Sequence, residues 1–265
     1  MGTALVTGAS AGLGLEFAWQ LATARHDVVL VARDEGRLTR LAAQLEAAAG
    51  IRAEVLAADL TDRADVERVA ARLRDDERPV GLLVNNAGMG LNQPFVDGDV
   101  AAEERALDLM VRAPMVLSHA AAGAMKRRGR GAILNVGSVA GLTASGTYSA
   151  HKAWVRVFTE ALAVELKGTG VTATVVAPGF THTEFHERGR IDTAHYPSVA
   201  WLDAEDVVAG ALADVRRGVV LSTPSLRYKA VSTILKLVPR SAVRTFSGYR
   251  RALADDAPDV PTVDA

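Results

Sequence analysis

The sequence predicts an α/β fold: a single domain with a doubly wound parallel sheet and helices on both faces. Three observations point there. Short apolar runs rich in Val, Leu and Ala alternate with longer segments of helical periodicity from Thr3 to Ser222. The short runs are apolar at consecutive positions, as strands covered on both faces must be. The chain has 265 residues, 49 % of them hydrophobic, and a mean hydropathy of +0.13, enough for one large core. Thirty basic against 31 acidic residues leave a formal charge of -1, with no basic footprint for nucleic acid. The absence of cysteine removes disulfides and thiolate chemistry and fits a reducing compartment. No apolar run approaches ~18 residues, and the first strand begins at Thr3 without a charged leader. Neither a membrane span nor a secretory leader is expected, and the cytoplasm is the expected setting.

Residues 3–7 form the first strand, which runs into Gly8-Ala9-Ser10-Ala11-Gly12-Leu13-Gly14 and then a helix. Gly8 suits the tight turn, Gly12 lets backbone approach a pyrophosphate, and Gly14 lets helix and strand pack closely. The first helical N–H groups and the positive dipole end then face the phosphates. An ordinary tight turn is the competing reading. The second strand, 27–32, ends at Ala32-Arg33, where a dinucleotide fold meets the adenosine ribose. An acidic residue there would grip the ribose 2′-OH and favour NAD. Arg33 suits a 2′-phosphate, so NADP is expected over NAD, the alternative being a guanidinium that simply points into water. A helix follows from Glu35, with Leu38, Leu41 and Leu45 as its buried stripe and Gly50 as its stop. The third strand, 53–57, delivers Asp59 and Leu60. The Asp59 carboxylate suits either an adenine amino group or, with equal weight, a structural role next to the helix cap at Thr61 or Asp62.

The fourth strand, 80–84, leads to Asn85-Asn86-Ala87-Gly88, whose amides can tie strands together while the small residues leave room for a ring. The fifth strand, 133–136, delivers Ser138, with Gly137 keeping the strand end slim, and a glycine-containing loop reaches a helix that opens near Thr147. On that helix Tyr148 and Lys152 lie one turn apart on one face. A neighbouring ammonium stabilises a phenolate, so Lys152 is expected to lower the Tyr148 pKa. Tyr148 could then exchange a proton with an alcohol or carbonyl oxygen that Ser138 also holds. The same helix carries Trp154, Val157, Phe158, Ala161, Leu162 and Leu166, more apolar surface than the sheet needs. The sixth strand, 171–177, runs into Pro178-Gly179-Phe180-Thr181-His182-Thr183, where backbone near Thr181 and the hydroxyl of Thr183 suit a nicotinamide carboxamide. A lid over about 180–202 is expected, with Phe185, Tyr196 and Trp201 closing an apolar pocket. His182 and His186 lack a third ligand and the glutamate of a zinc motif, so no metal is expected. Asp203 should cap a helix through Val215, and 219–222 is the last strand.

The ordered set T-G-x-x-x-G-x-G at Thr7 to Gly14, N-N-A-G at Asn85 to Gly88, Ser138, Y-x-x-x-K at Tyr148 to Lys152 and P-G at Pro178-Gly179 resembles the short-chain dehydrogenase/reductase family, in its single-domain branch. The resemblance covers about residues 3 to 222. It implies a Rossmann-type sheet, with Gly8, Ser10, Ala11, Gly12, Leu13 and Gly14 around the phosphates, Asp59 and Leu60 at the adenine, and Asn85 on the ribose and nicotinamide side. It makes Tyr148 both the acid/base and a contact of the cofactor, and has Lys152 hold the nicotinamide ribose. Because the corresponding helices form the dimer interface in many relatives, it also implies a homo-oligomer, dimer or tetramer. Two departures stand out. Met110 occupies the position where many members carry a catalytic asparagine, so a slowed or rerouted proton relay is expected, with the carbonyl of residue 110 freed by Pro114. Tyr148 lies ten residues after Ser138 where the family usually has three more, which should alter the mouth of the site and spare its register.

The domain is expected to span 1–222, followed by a basic amphipathic extension, 223–254, and a disordered acidic tail, 255–265. From Gly218 to Ala254 there are seven basic residues and no acidic one, with Val231, Ile234, Leu235 and Val238 as an apolar stripe. Packing over the cleft is the favoured reading, against pairing with another subunit or weak contact with an anionic membrane. The functional expectation is an NADPH-dependent oxidoreductase passing hydride between nicotinamide and a carbonyl or secondary alcohol of a small hydrophobic substrate. The alternatives are a non-enzymatic NADP-binding sensor and a peripheral membrane reductase of lipid or acyl carbonyls.

Overall fold

The computed structural model describes residues 2–91, 93–184, 197–245 and 247. Seven parallel strands, β1 (Thr3–Thr7), β2 (Asp27–Ala32), β3 (Ala53–Ala57), β4 (Val80–Asn85), β5 (Gly131–Val136), β6 (Val171–Val176) and β9 (Leu221–Ser222), form one sheet in the order β3-β2-β1-β4-β5-β6-β9. A separate parallel pair joins β7 (Phe180–Thr181) to β8 (Trp201–Leu202). The predicted doubly wound fold is therefore present. The strand order reverses between β1 and β4, and this switch point opens a crevice at the carboxyl ends of the strands.

Alternation along each strand supplies both faces. Ala4, Val6, Val28, Leu30, Val84, Leu134 and Val176 pack on one side against α1 (Gly12–Thr23), α2 (Glu35–Ala49) and α7 (Ala204–Arg216). Leu5, Val29, Val31, Leu83, Ile133 and Ala173 pack on the other side, against α3 (Arg63–Arg74) and α5 (Ala113–Arg128). That side is completed by α6 (Gly146–Glu165), which lies along β6. Helix α2 starts where Asp34 accepts from the Arg37 N–H (2.8 Å) and stops at Gly50 in the left-handed region (φ 62°), as the sequence predicts. Asp203 occupies the cap position of α7, but its side chain makes no capping hydrogen bond.

Helix α4 (Val100–Leu107) continues into a π turn, Asp108–Arg112, before α5. The widening falls just ahead of Pro114, which has no N–H to give to the carbonyl of Met110. Beyond β9, α8 (Leu226–Leu237) and a helical stretch over 240–245 lie against the mouth of the crevice. The Tyr228 hydroxyl accepts from the Phe180 N–H (3.1 Å) and donates to the Ala200 carbonyl (2.6 Å). Arg240 donates to the Leu142 carbonyl (2.8 Å), and the Ala144 N–H donates to Ser247 (3.2 Å). The C-terminal segment thus packs where the sequence favoured it, but its stripe is turned differently. Val231 and Ile234 are exposed, while Tyr228, Leu235 and Val238 sit half-buried. The stripe was expected to face the body; what anchors the helix is a tyrosine with hydrogen bonds to two loops.

Candidate active site

The phosphate end of the crevice is built on β1. Thr7 donates to the Val84 carbonyl (3.3 Å), and its hydroxyl oxygen accepts from the Asn86 and Ala87 N–H groups (2.9 and 3.0 Å). The Asn86 amide donates to the Thr7 carbonyl (3.0 Å), so this one threonine and one asparagine fasten the ends of β1 and β4 together. Gly8 turns the chain at φ 66°, a conformation that costs a side-chain-bearing residue, and a Cβ there would meet the Asn86 amide at 2.9 Å. A Cβ on Gly14 would lie 2.1 Å from the Gly8 carbonyl oxygen. Tight turn and close helix approach are thus both built in. Gly12 opens α1 and faces the side chain of Thr183, the Cβ position of one being 3.3 Å from that of the other. The loop after β6 therefore lies directly over the glycine turn, with Thr181 buried at its base. Ser10, Ala11 and Leu13 sit partly exposed on this turn.

The adenosine end is less specialised in its side chains. Arg33 projects, exposed, at the end of β2. The Asp59 carboxylate accepts from the N–H and hydroxyl of Thr61 (3.0 and 2.9 Å), a structural contact, and Asp62 caps α3. Leu60 is buried. Asn85 donates its amide to Ser118 (3.1 Å) and Asn135 (2.8 Å), and Asn135 donates to Thr159 (2.9 Å). All four are buried. This network, which ties β4 and β5 to α5 and α6, carries no sequence motif beyond the first asparagine; it uses the amide nitrogen of Asn85 and leaves that side chain's buried oxygen without a hydrogen-bond partner among the described residues.

At the chemical end, Ser138 caps a short 3-10 turn, Val139–Leu142, accepting from the Ala140 N–H (3.1 Å). Gly141 in that turn lies on the backbone of Lys152, where an added Cβ would approach to 2.8 Å. The loop shortened by three residues is packed down onto α6 in this way, and Ser138 and Tyr148 remain hydrogen-bonded to one another. Lys152 is 5 % exposed and donates to the Val136 carbonyl (2.7 Å), with its ammonium nitrogen 5.7 Å from the centre of the Tyr148 ring.

The electrostatics overturn one expectation. Burial pushes the Tyr148 phenol up to about 12, the hydrogen bond from Ser138 opposing it. Burial also pushes the Lys152 amine down to about 8. Spacing correctly brought the two together, but each charged form loses hydration there, and that loss sets the direction of both shifts. The phenol of this site is a proton donor across the neutral range. Met110, 2 % exposed, points its sulfur at the same spot, Gly88 being the residue whose missing side chain leaves room between Met110 and Lys152. Beside Lys152, His151 is buried and held below its usual pKa mainly by desolvation, with the Glu103 carboxylate opposing. Glu103 in turn accepts from the Thr147 hydroxyl (2.6 Å).

The residues present suit a dinucleotide. The turn after β1 has no room for a side chain at Gly8 or Gly14, Gly88 keeps space open in front of Lys152, and that ammonium has three N–H groups for one Val136 carbonyl. Among the described residues no cluster of His, Asp or Glu could hold a metal. His182 is exposed and stacks on Trp201 (4.7 Å between ring centres). His186, Phe185, Tyr196 and most of the expected lid lie outside the described residues. So do the final segment 248–265 and two of the seven basic residues, Arg250 and Arg251. No helix among the described residues is long and apolar enough to cross a membrane.

Comparison with known proteins gives consistent findings. The profile of the family described as short chain dehydrogenase matches residues 2–193. Sulfoacetaldehyde reductase 2 of Chromohalobacter salexigens is 40 % identical over 186 residues, 68 % of this chain and 73 % of that protein. A short-chain dehydrogenase from Sphingobium yanoikuyae, solved in complex with NADPH, superimposes with a TM-score of 0.82 at 36 % identity, covering 100 % of this chain and 99 % of that one. A bulky-bulky ketone specific alcohol dehydrogenase from Comamonas testosteroni gives 0.77 at 30 % identity over 99 % and 97 % of the two chains.

Proposed function

The chain belongs to the short-chain dehydrogenase family, and from that premise we propose that this oxidoreductase is an NADPH-dependent carbonyl reductase, reversible as an alcohol dehydrogenase, acting on small hydrophobic ketones. The observation that carries the reading is the hydrogen-bonded pair of hydroxyls, Ser138 and Tyr148, backed by a buried ammonium on Lys152. NADPH, when bound, supplies the hydride at its nicotinamide ring. Ser138 holds the substrate's carbonyl oxygen. Tyr148, protonated up to about 12, gives that oxygen its proton as negative charge builds there. Lys152 stabilises the phenolate left behind and, with N–H groups to spare, binds the ribose. Carbonyl, hydride and proton sum to the alcohol, and the reverse direction needs Tyr148 as phenolate, which its raised pKa disfavours in the free protein.

Gly8, Ser10, Ala11, Gly12, Leu13 and Gly14 take the phosphates, Arg33 the 2′-phosphate, and Thr181 and Thr183 the carboxamide. Asp59 and Leu60 flank the adenine. Asn85, whose amide nitrogen ties the strands and whose oxygen has no partner among the described residues, takes the ribose and nicotinamide side. NADP rather than NAD is supported by Arg33 and by the NADPH and NADP found in solved relatives. A ketone substrate with apolar groups is supported by Phe180 and Trp201 beside the mouth (5.7 Å between ring centres) and by the ketone-specific relative. The exposed apolar surface of α5 and α6, with Met115, Val157 and Val164, supports a homo-oligomer. The test is NADPH oxidation over a panel of ketones, steroid ketones and 3-oxoacyl thioesters. Turnover of at least one class, with NADH much poorer, is the expected result. Tight NADPH binding without turnover of any carbonyl would instead favour a sensor, the reading that Met110 supports.

A further inference from the structure

We propose that the outward face of α8 is a docking surface for an anionic lipid bilayer. The helix has two unlike sides. Tyr228 and the buried Ser232 face the body, and Arg227 pins the first turn by donating to the Val199 carbonyl (2.6 Å). Leu226, Ala230, Ile234 and Leu237 recur at the spacing that lines one helix face, with Val231 beside them. Leu226 is 82 % exposed, Ile234 59 % and Leu237 79 %. These large apolar side chains on a 12-residue helix make a continuous outward stripe.

Charge decides the occupant. Residues 223–247 include Arg227, Lys229, Lys236, Arg240 and Arg244 and no Asp or Glu. The carboxylate acting on Lys229 from another element, Asp214 of α7, is already paired with Arg217. A second copy docking through a two-fold axis would set this cationic strip against itself. Anionic headgroups neutralise it, while the stripe enters the boundary between headgroups and acyl chains, as interfacial helices do. One short helix gives reversible, salt-sensitive attachment. Because the inner side of α8 also bonds the loops at Phe180 and Ala200, attachment would hold the mouth of the crevice at the bilayer surface.

The test is co-sedimentation of the full chain with phosphatidylcholine vesicles made with and without phosphatidylserine. Binding is expected only with phosphatidylserine and should fall as salt rises. Lys236→Gln with Arg244→Gln should weaken it roughly 25-fold, about fivefold per charge. Leu226→Gln, Ile234→Gln and Leu237→Gln together should abolish it, while NADPH affinity and the urea midpoint stay at wild-type values because these side chains are exposed. No binding at low salt, or equal binding to both vesicle types, would overturn the proposal. So would a loss of dimer or tetramer in the apolar triple variant without lipid, which would assign the face to a second copy. Binding that appears only after deletion of residues 255–265 would assign it to that acidic segment.

Discussion

Replacing Lys152 with Met should stabilise the cofactor-free protein while removing its activity. The amine is 5 % exposed and its pKa falls from 10.5 to about 8 through desolvation. That drop corresponds to about 3 kcal/mol by which folding disfavours the charged form. The ammonium recovers about 1.5 kcal/mol through its hydrogen bond to the Val136 carbonyl (2.7 Å). Methionine has a similar length and needs no hydration, so Lys152→Met should gain on the order of 1–2 kcal/mol at neutral pH. The sign with pH follows from the depressed pKa of a base. Between about 8 and 10.5 the unfolded chain holds more protons than the folded one, so wild-type stability rises relative to the variant across that window. Below 8 both forms hold the proton and the difference is constant. Urea unfolding of both proteins, without cofactor, at several pH values measures this. A variant less stable than wild type at neutral pH, with a difference that ignores pH, would refute the view of Lys152 as a desolvated ammonium held for function.

Two further outcomes follow from the same geometry. Arg33→Ala removes a guanidinium exposed at the end of β2 and should weaken NADPH binding by about 10- to 100-fold, the worth of a charge-assisted pair. NADH affinity should stay unchanged, and titration of nicotinamide fluorescence with both cofactors reads the ratio; an unaltered ratio would reject the assignment. Tyr228→Phe loses a hydrogen bond from the Phe180 N–H and one to the Ala200 carbonyl. It should cost about 1–2 kcal/mol in urea unfolding and raise KM for substrate more than it lowers kcat; wild-type values for both would show that the clamp does not position the mouth.

Strand and helix positions were legible because strands buried on both faces must be apolar at consecutive positions, and few ordinary loops look like that; their order in the sheet was not. Gly8 and Gly14 were legible because turn and close approach each tolerate nothing larger. Depth was not. Spacing shows that Tyr148 and Lys152 are neighbours, but whether water reaches them depends on Gly141, Met110 and the loops folded over them. The direction of the Tyr148 pKa shift was therefore lost to desolvation. Tyr228 was missed because its partners lie 28 and 48 residues away and a lone tyrosine in a basic segment carries no local signal. The buried chain from Ser118 through Asn85 and Asn135 to Thr159 joins four ordinary polar residues that only the fold brings together. The outward turn of the α8 stripe has a related cause, since periodicity finds an apolar face without telling which way it looks. The π turn ahead of Pro114 did leave a trace, the missing N–H.

The most direct test of the whole account is the turnover of Tyr148→Phe measured alongside its NADPH affinity. Removing one oxygen from this half-buried ring takes away the proton that the reacting oxygen needs and leaves the packing around it. Reduction of the best ketone should fall by about 10²- to 10⁴-fold while NADPH binds as in the wild type. Reduction at an undiminished rate would contradict the central claim.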